Sequence, residues 1–450
     1  MAVLLLLVSI AATAGFVVSY RGELDRIVVI AIALIAVDYV GRAAILLTGL
    51  DSPFPDVHFF GRELGDAHVR AQAVFLIWIG LFTCSAKMVE RLRFPRWFST
   101  PILPSNDTLA WYLPALTILA VVASAVVWQE YGVSDLGAIA KRREVNLPRA
   151  LRNPSVIVAY LGVATATVGV WQRRSWLIVV GVMGYLVGAA VSFTWGARDA
   201  AVFPLLLIPL AAVDRARRSG QLNRRTFIQR APLVLAGFVL VVAIGVGLRA
   251  AREVIAFGGT LDRTTEGSFI RDVAVTSNTT AYDALLLVTD DQDPTPESPG
   301  LGIFAEATRV AAVGQPQGEV FQVPAVRVAR TFEPRRANGW PITTPGEWYF
   351  AQGFLGVALG AVLSGALYQL IDSWRRGQPE STWAAAFTLT FFWLFTVASS
   401  GIGVATVTRS RTLMGAAIIL LVGGYVLERV TTRVRGRVVS PPNDDPVSPT

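Results

Sequence analysis

Thiol, imidazole and ammonium groups are almost missing from this 450-residue chain. It has one cysteine, Cys84, two histidines, His58 and His68, and among 40 basic residues only two lysines, Lys87 and Lys141. A single cysteine excludes a disulfide framework and a thiolate metal site. Two histidines, both in DSPFPDVHFFGRELGDAHVR, leave little material for a Ser-His-Asp site or a histidine-rich zinc site, and they read as surface or interfacial residues. Scarce lysine beside abundant Ala, Gly and Val points to a coding bias toward arginine, so the positions of the arginines carry weight and their number does not. The chain has no P-loop, no dinucleotide fingerprint and no helical HExxH. No metal and no cofactor is expected.

Charge of either sign is also thin. Charged residues make up 16% of the chain, hydrophobic ones 53%, and the mean hydropathy is +0.52, too apolar for an ordinary soluble protein. In a soluble chain a net charge of +8 would suggest nucleic acid. Here the basic residues must first be assigned to the two sides of a membrane, and nucleic acid is not an expected partner.

Apolar runs of spanning length predict an all-α polytopic membrane protein with about eleven transmembrane helices, at roughly 1–20, 27–50, 71–89, 109–128, 155–171, 176–194, 200–213, 231–249, 348–371, 384–407 and 413–427. The first run is read as a retained helix, because no positive segment precedes it. Four regions follow: a bundle of about eight spans over 1–248, a large extracytoplasmic loop over 249–347, about three spans over 348–427, and a tail over 428–450 that is basic and then disordered. Three densely basic segments, KMVERLRFPRW, DRARRSGQLNRRTFIQR and ERVTTRVRGR, fall on one side of this topology. The positive-inside bias makes that side the cytoplasm and puts the 249–347 excursion outside.

Several arginines then lie against that bias. Arg142 and Arg143 sit in the outer loop after the fourth span, Arg198 in WGARDA, Arg249 and Arg252 where the eighth span runs outward, and Arg409 and Arg411 in VTRSRTL. Guanidinium groups gathered at one face suit phosphate or carboxylate oxygens, and a lipid-linked pyrophosphate is the natural anion there. Asp38 and Arg42, four residues apart within the second span, are read as a neutralising pair, with a cavity-lining role as the alternative. The acidic run TDDQDP (Asp290, Asp291, Asp293) is read as a solvated loop and Cys84 as inert packing. Trp340, Trp348 and Tyr349 fit either sugar stacking or an interfacial aromatic belt.

Two segments, SFTWGARDAAVFPLLLIPL and NGWPITTPGEWYFAQGFLGVALGAVLSG, resemble the oligosaccharide repeat-unit polymerases, the O-antigen polymerase (Wzy-type) group. The first is similar to the group's Gly-x-Arg hairpin. The second, the more specific of the two, is similar to its Gly/Pro-rich loop running through Gly-Glu-x-Tyr into a glycine-rich span. The resemblance implies a GT-C-like membrane glycosyltransferase that joins lipid-linked repeats at the outer face of a bacterial cytoplasmic membrane, for O-antigen-like, capsular or exopolysaccharide synthesis. By motif position it transfers Arg198, Glu347 and Tyr349; the other arginines rest on topology.

The expected chemistry is attack of an acceptor hydroxyl on the anomeric carbon of a polyprenyl-pyrophosphate-linked oligosaccharide. Arg198, Arg249, Arg252, Arg409 and Arg411 would stabilise the leaving pyrophosphate, and Glu253 or Glu347 would act as general base. Membrane lipid, a chain-length regulator and a flippase are the other expected partners. Three readings compete: an O-antigen-ligase-like or polyprenyl-phosphate-dependent transferase, a transporter or flippase of lipid-linked glycans, and an inactive assembly scaffold.

Overall fold

The computed structural model describes residues 1–20, 26–49, 64–92, 103–130, 149–194, 207–220, 281–290, 300, 302–313, 327–328, 342–398 and 422–438. The described residues are almost all helical and include no strand. The helices are α1 (Ala2–Ser19), α2 (Ile27–Leu47), α3 (Gly65–Glu90), α4 (Asn106–Glu130), α5 (Arg149–Gln172), α6 (Ser175–Thr194), α7 (Leu207–Arg218), α8 (Ala281–Thr289), α9 (Gly302–Val313), α10 (Thr344–Gly377), α11 (Trp383–Ala398) and α12 (Gly424–Val438). Five of these stretches, α1, α2, α3, the Asn106–Val126 part of α4 and α10, are long and apolar enough to cross a membrane. Their outward faces carry large apolar side chains such as Leu4, Trp111, Leu119, Leu355 and Leu363. That is the pattern of helices solvated by lipid. Cys84 is exposed on α3, so it does not fill the core.

Helices α5 and α6 form the tightest hairpin because small residues face one another. A Cβ on Gly162 would lie 2.3 Å from the Tyr185 backbone nitrogen, and one on Gly181 would lie 2.3 Å from that of Ala166. Such contact lets dispersion hold two helices together where no hydrophobic gain is to be had from lipid.

Cross-helix contacts sort the helix ends into two sets. At one end Arg26 and Lys87 both pair with Glu90, and the Lys87 ammonium stands 3.7 Å over the Tyr20 ring. Arg375, fully buried, reaches Asp214 at 3.1 Å and Asp372 at 3.0 Å, and Asn106 and Gln172 tie α4, α5 and the Glu380 turn together. Lys87, Arg173, Arg174, Arg215, Arg217, Arg218, Arg375 and Arg376 therefore share this basic end. The opposite end gathers the N-terminal part of α3, the C-terminal half of α2, the start of α10 and the short helix α8.

Helix α8 lies within the polar excursion, yet all nine of its residues are buried, Leu285, Leu286 and Leu287 completely. Full burial of such side chains contributes about 1.5–3 kcal/mol each, enough to seat a nine-residue helix too short to persist alone. Asp290, expected in a solvated loop, closes this helix and is buried at 8% exposure, while Asp291 and Asp293 lie outside the described residues. A run of apolar side chains pulls this part of the excursion into the bundle.

Candidate functional site

The site is built on two breaks in helix geometry. The first is a π-helical turn over Val37–Gly41 in the middle of α2. Such turns interrupt the regular ladder and re-aim the side chains beside them. Here it presents Tyr39 and Arg42 to α3, α8 and α10. The second lies in α10, where Gln352 (φ −152°, ψ 25°) and Gly353 (φ 60°, ψ −146°) leave the helical region. That conformation of residue 353 is open to glycine and scarcely to any other residue. The kink separates a short buried first segment from a long second one, and a Cβ at Gly360 would fall 2.4 Å from Cγ of Trp348.

The first segment carries the Gly-Glu-x-Tyr motif. Thr343 stands at its N-cap in extended geometry, with Pro345 at the helix start and Glu347 in the first turn, an arrangement that suits both the fixed proline φ and the helix dipole. The Thr343 hydroxyl does not cap the helix. It donates instead to Tyr39 Oη at 2.7 Å, and a Cβ on Gly346 would lie 3.4 Å from the same oxygen. Glu347 is 1% exposed, so this segment is an inserted element of the bundle, and the helix begins four residues before the span expected from 348.

Around Tyr39 the buried polar groups form one network. Arg42 Nε lies 3.0 Å and 3.2 Å from the two Asp283 carboxylate oxygens, and Nη2 lies 2.7 Å from Oδ2, with both side chains fully buried. The expected partner of Arg42 was Asp38, whose side chain lies outside the described residues. The partner described here comes from the excursion, some 240 residues away, because α8 fills the space beside the π turn. Next to Asp283, Tyr282 Oη accepts from Gln72 Nε2 at 3.2 Å and lies 3.0 Å from His68 Nδ1. Burial pushes the Tyr282 phenol above its ordinary range, with the Asp283 charge adding to the rise and the Gln72 hydrogen bond opposing it. The group stays a neutral hydroxyl. Gln72 Nε2 also faces the Tyr39 carbonyl at 3.4 Å, Ser9 Oγ donates to Gln72 Oε1 at 2.7 Å, and the Thr289 hydroxyl donates to the Ala67 carbonyl at 3.3 Å. His68 itself is buried, not a surface residue, because α8 covers the start of α3.

Of the expected site residues, Glu347 and Tyr349 lie on the described first segment of α10. Tyr349 is half-buried and meets the Phe354 ring edge-on at 5.3 Å across the kink. Trp348 is neither an interfacial belt residue nor open to a sugar, because it stacks on Phe304 at 4.1 Å and is 5% exposed. Arg142, Arg143, Arg198, Arg249, Arg252, Glu253, Arg409 and Arg411 lie outside the described residues, as do His58 and Trp340. The reading by residue type missed Ser9, Gln72, Tyr282 and Asp283. A lone amide in AQAVFLIWIG and a lone carboxylate in the apolar run AYDALLLVT were the available signals. Among the described residues no group of three or more His, Cys, Asp or Glu side chains is placed to hold a metal ion. A scan against protein-family models finds no match, and searches of curated proteins and of solved structures find none.

Proposed function

We propose that the protein is a GT-C-like membrane glycosyltransferase of about eleven spans, polymerising lipid-linked oligosaccharide repeat units at the outer face of a bacterial cytoplasmic membrane. One observation carries the reading: the Gly-Glu-x-Tyr segment, with Glu347 buried, is folded into the bundle beside a polar network at the end opposite the basic one. With the basic end cytoplasmic by the positive-inside bias, this network faces the outside, where glycan is carried on lipid and nucleotide sugars are absent.

In the reaction the acceptor hydroxyl oxygen bonds to the anomeric carbon of the donor, and the bond from that carbon to the pyrophosphate oxygen breaks with its electron pair. The hydroxyl proton passes to a carboxylate, Glu347 or Glu253. Arg198, Arg249, Arg252, Arg409 and Arg411 would carry the charge gained by the leaving polyprenyl pyrophosphate, with Arg142, Arg143 and Tyr349 binding substrate.

The test is to supply the purified protein with a polyprenyl-pyrophosphate oligosaccharide and to separate the products by size. A ladder that Arg198→Ala and Glu347→Gln each abolish supports the polymerase. A single transfer to a foreign acceptor identifies a ligase instead, and lipid translocation in vesicles without product identifies a flippase.

A further inference from the structure

We propose that His68 is a neutral hydrogen-bond donor, acting through Nε2–H on an uncharged glycan oxygen at the end of the bundle away from the basic one. The inference deepens the reading just given and rests on it for the kind of ligand, while the proton assignment stands on the hydrogen bonds alone.

The assignment starts at a group that has no choice. The Tyr39 carbonyl can only accept, so the Gln72 atom facing it at 3.4 Å is the amide nitrogen. Gln72 Oε1 then points to Ser9, 2.7 Å away, and the Ser9 hydroxyl donates to it. Gln72 Nε2 also donates to Tyr282 Oη at 3.2 Å, and an amide nitrogen cannot accept in return. The phenolic hydrogen of Tyr282 therefore goes to its one described acceptor, His68 Nδ1, at 3.0 Å. A ring nitrogen that accepts carries no proton, so the hydrogen of the neutral imidazole sits on Nε2.

That Nε2–H has no hydrogen-bond acceptor among the described residues, although His68 is only 6% exposed. Nε2 is not among the fully enclosed polar atoms that lack a partner, so an oxygen arriving from outside the network can reach it. The charged groups described on the surrounding helices disfavour phosphate as the source of that oxygen. Arg42 and Arg70 are outnumbered by Asp66, Asp283, Asp290 and Glu347, and Arg42 is already neutralised by Asp283. A hydroxyl or ring oxygen of a sugar needs no cation.

The chain has two imidazoles, so a ¹⁵N-histidine-labelled protein in nanodiscs gives two sets of ring signals, and His58→Gln leaves those of His68. At neutral pH the His68 ring is expected as the Nε2–H tautomer. Ser9→Ala should leave it so, because the Tyr39 carbonyl still orients Gln72, whereas Tyr282→Phe should release it. Free repeat-unit oligosaccharide and the lipid-linked form should each move the Nε2 signal, and bare polyprenyl pyrophosphate should not. In the transfer assay His68→Ala should raise KM for the acceptor glycan about fivefold to tenfold with kcat little changed, the span of one neutral hydrogen bond, and His68→Gln should recover part of it.

An Nδ1–H or doubly protonated ring in the unmodified protein overturns the assignment. A response to bare pyrophosphate alone, or to none of the three probes, overturns the glycan ligand. A protein that forms no ladder while Nε2 still answers to oligosaccharide would sink the polymerase reading and leave this one standing.

Discussion

Truncation of Asp283 to alanine would leave the Arg42 guanidinium charged and 1% exposed, without the carboxylate whose oxygens lie 2.7–3.2 Å from its nitrogens. Two unit charges about 3 Å apart attract by roughly 5 kcal/mol at an effective dielectric near 20. Much of that is spent on removing both ions from water, so the pair adds little net stability over apolar residues of similar volume. Removing one partner is another matter, because the other loses the charge that offsets most of its desolvation, at about 3–5 kcal/mol. Asp283→Ala and Arg42→Ala should therefore each destabilise by about that amount, whereas the double variant Arg42→Met/Asp283→Leu should lie within roughly 1–2 kcal/mol of the parent. Denaturant titration of the purified protein in mixed micelles, run as a double-mutant cycle, measures all three. Single variants costing less than about 1 kcal/mol, or a double variant equal to the sum of the singles, would refute the placement of α8 inside the bundle.

Four further outcomes are expected. Gly353→Ala forces a Cβ onto φ 60°, ψ −146° and should cost about 1–3 kcal/mol in the same titration. A bulkier residue at Gly181, as in Gly181→Val, drives side-chain atoms into the Ala166 backbone and should cost about 1–3 kcal/mol or more, seen as loss of cross-linking between cysteines introduced on α5 and α6. Arg375→Ala takes one of two arginine partners from each of the buried carboxylates Asp214 and Asp372, which keep Arg218 at 3.4 Å and Arg376 at 3.1 Å, and should cost about 1.5–3 kcal/mol, while Arg375→Met paired with Asp214→Asn should recover part of the loss in detergent half-life. Glu347→Gln keeps the shape of the buried segment and should remove product ladders while leaving the unfolding midpoint close to that of the parent; a large midpoint shift would mark the carboxylate as structural.

Several features were legible because they follow from local chemistry. Five long apolar stretches fall where lipid-length hydrophobicity predicts them, but α10 starts four residues before the expected 348, because Pro345 and Glu347 suit a helix N-terminus and hydropathy does not register that preference. Arg42 was conspicuous as a charge in an apolar span, since such a charge needs a partner. The identity of that partner was not legible, because a nearby aspartate at i−4 satisfied the same rule and nothing in the order of residues says that position 283 folds beside position 42. Gln72 and Ser9 were passed over for a related reason: a neutral polar side chain in a span carries little cost once bonded, so it leaves only a weak mark on hydropathy.

By itself the sequence determined the class of the protein: helices, lipid-length spans and an arginine-rich end, all set by hydrophobicity and charge that each residue carries wherever it lies. Tertiary structure alone decided that a nine-residue piece of the polar excursion is buried, that its Asp283 neutralises Arg42, and that the hydroxyl of Thr343 binds Tyr39 instead of capping its own helix. Those are choices between partners of equal chemical merit, and only proximity created by packing distant segments together can make them.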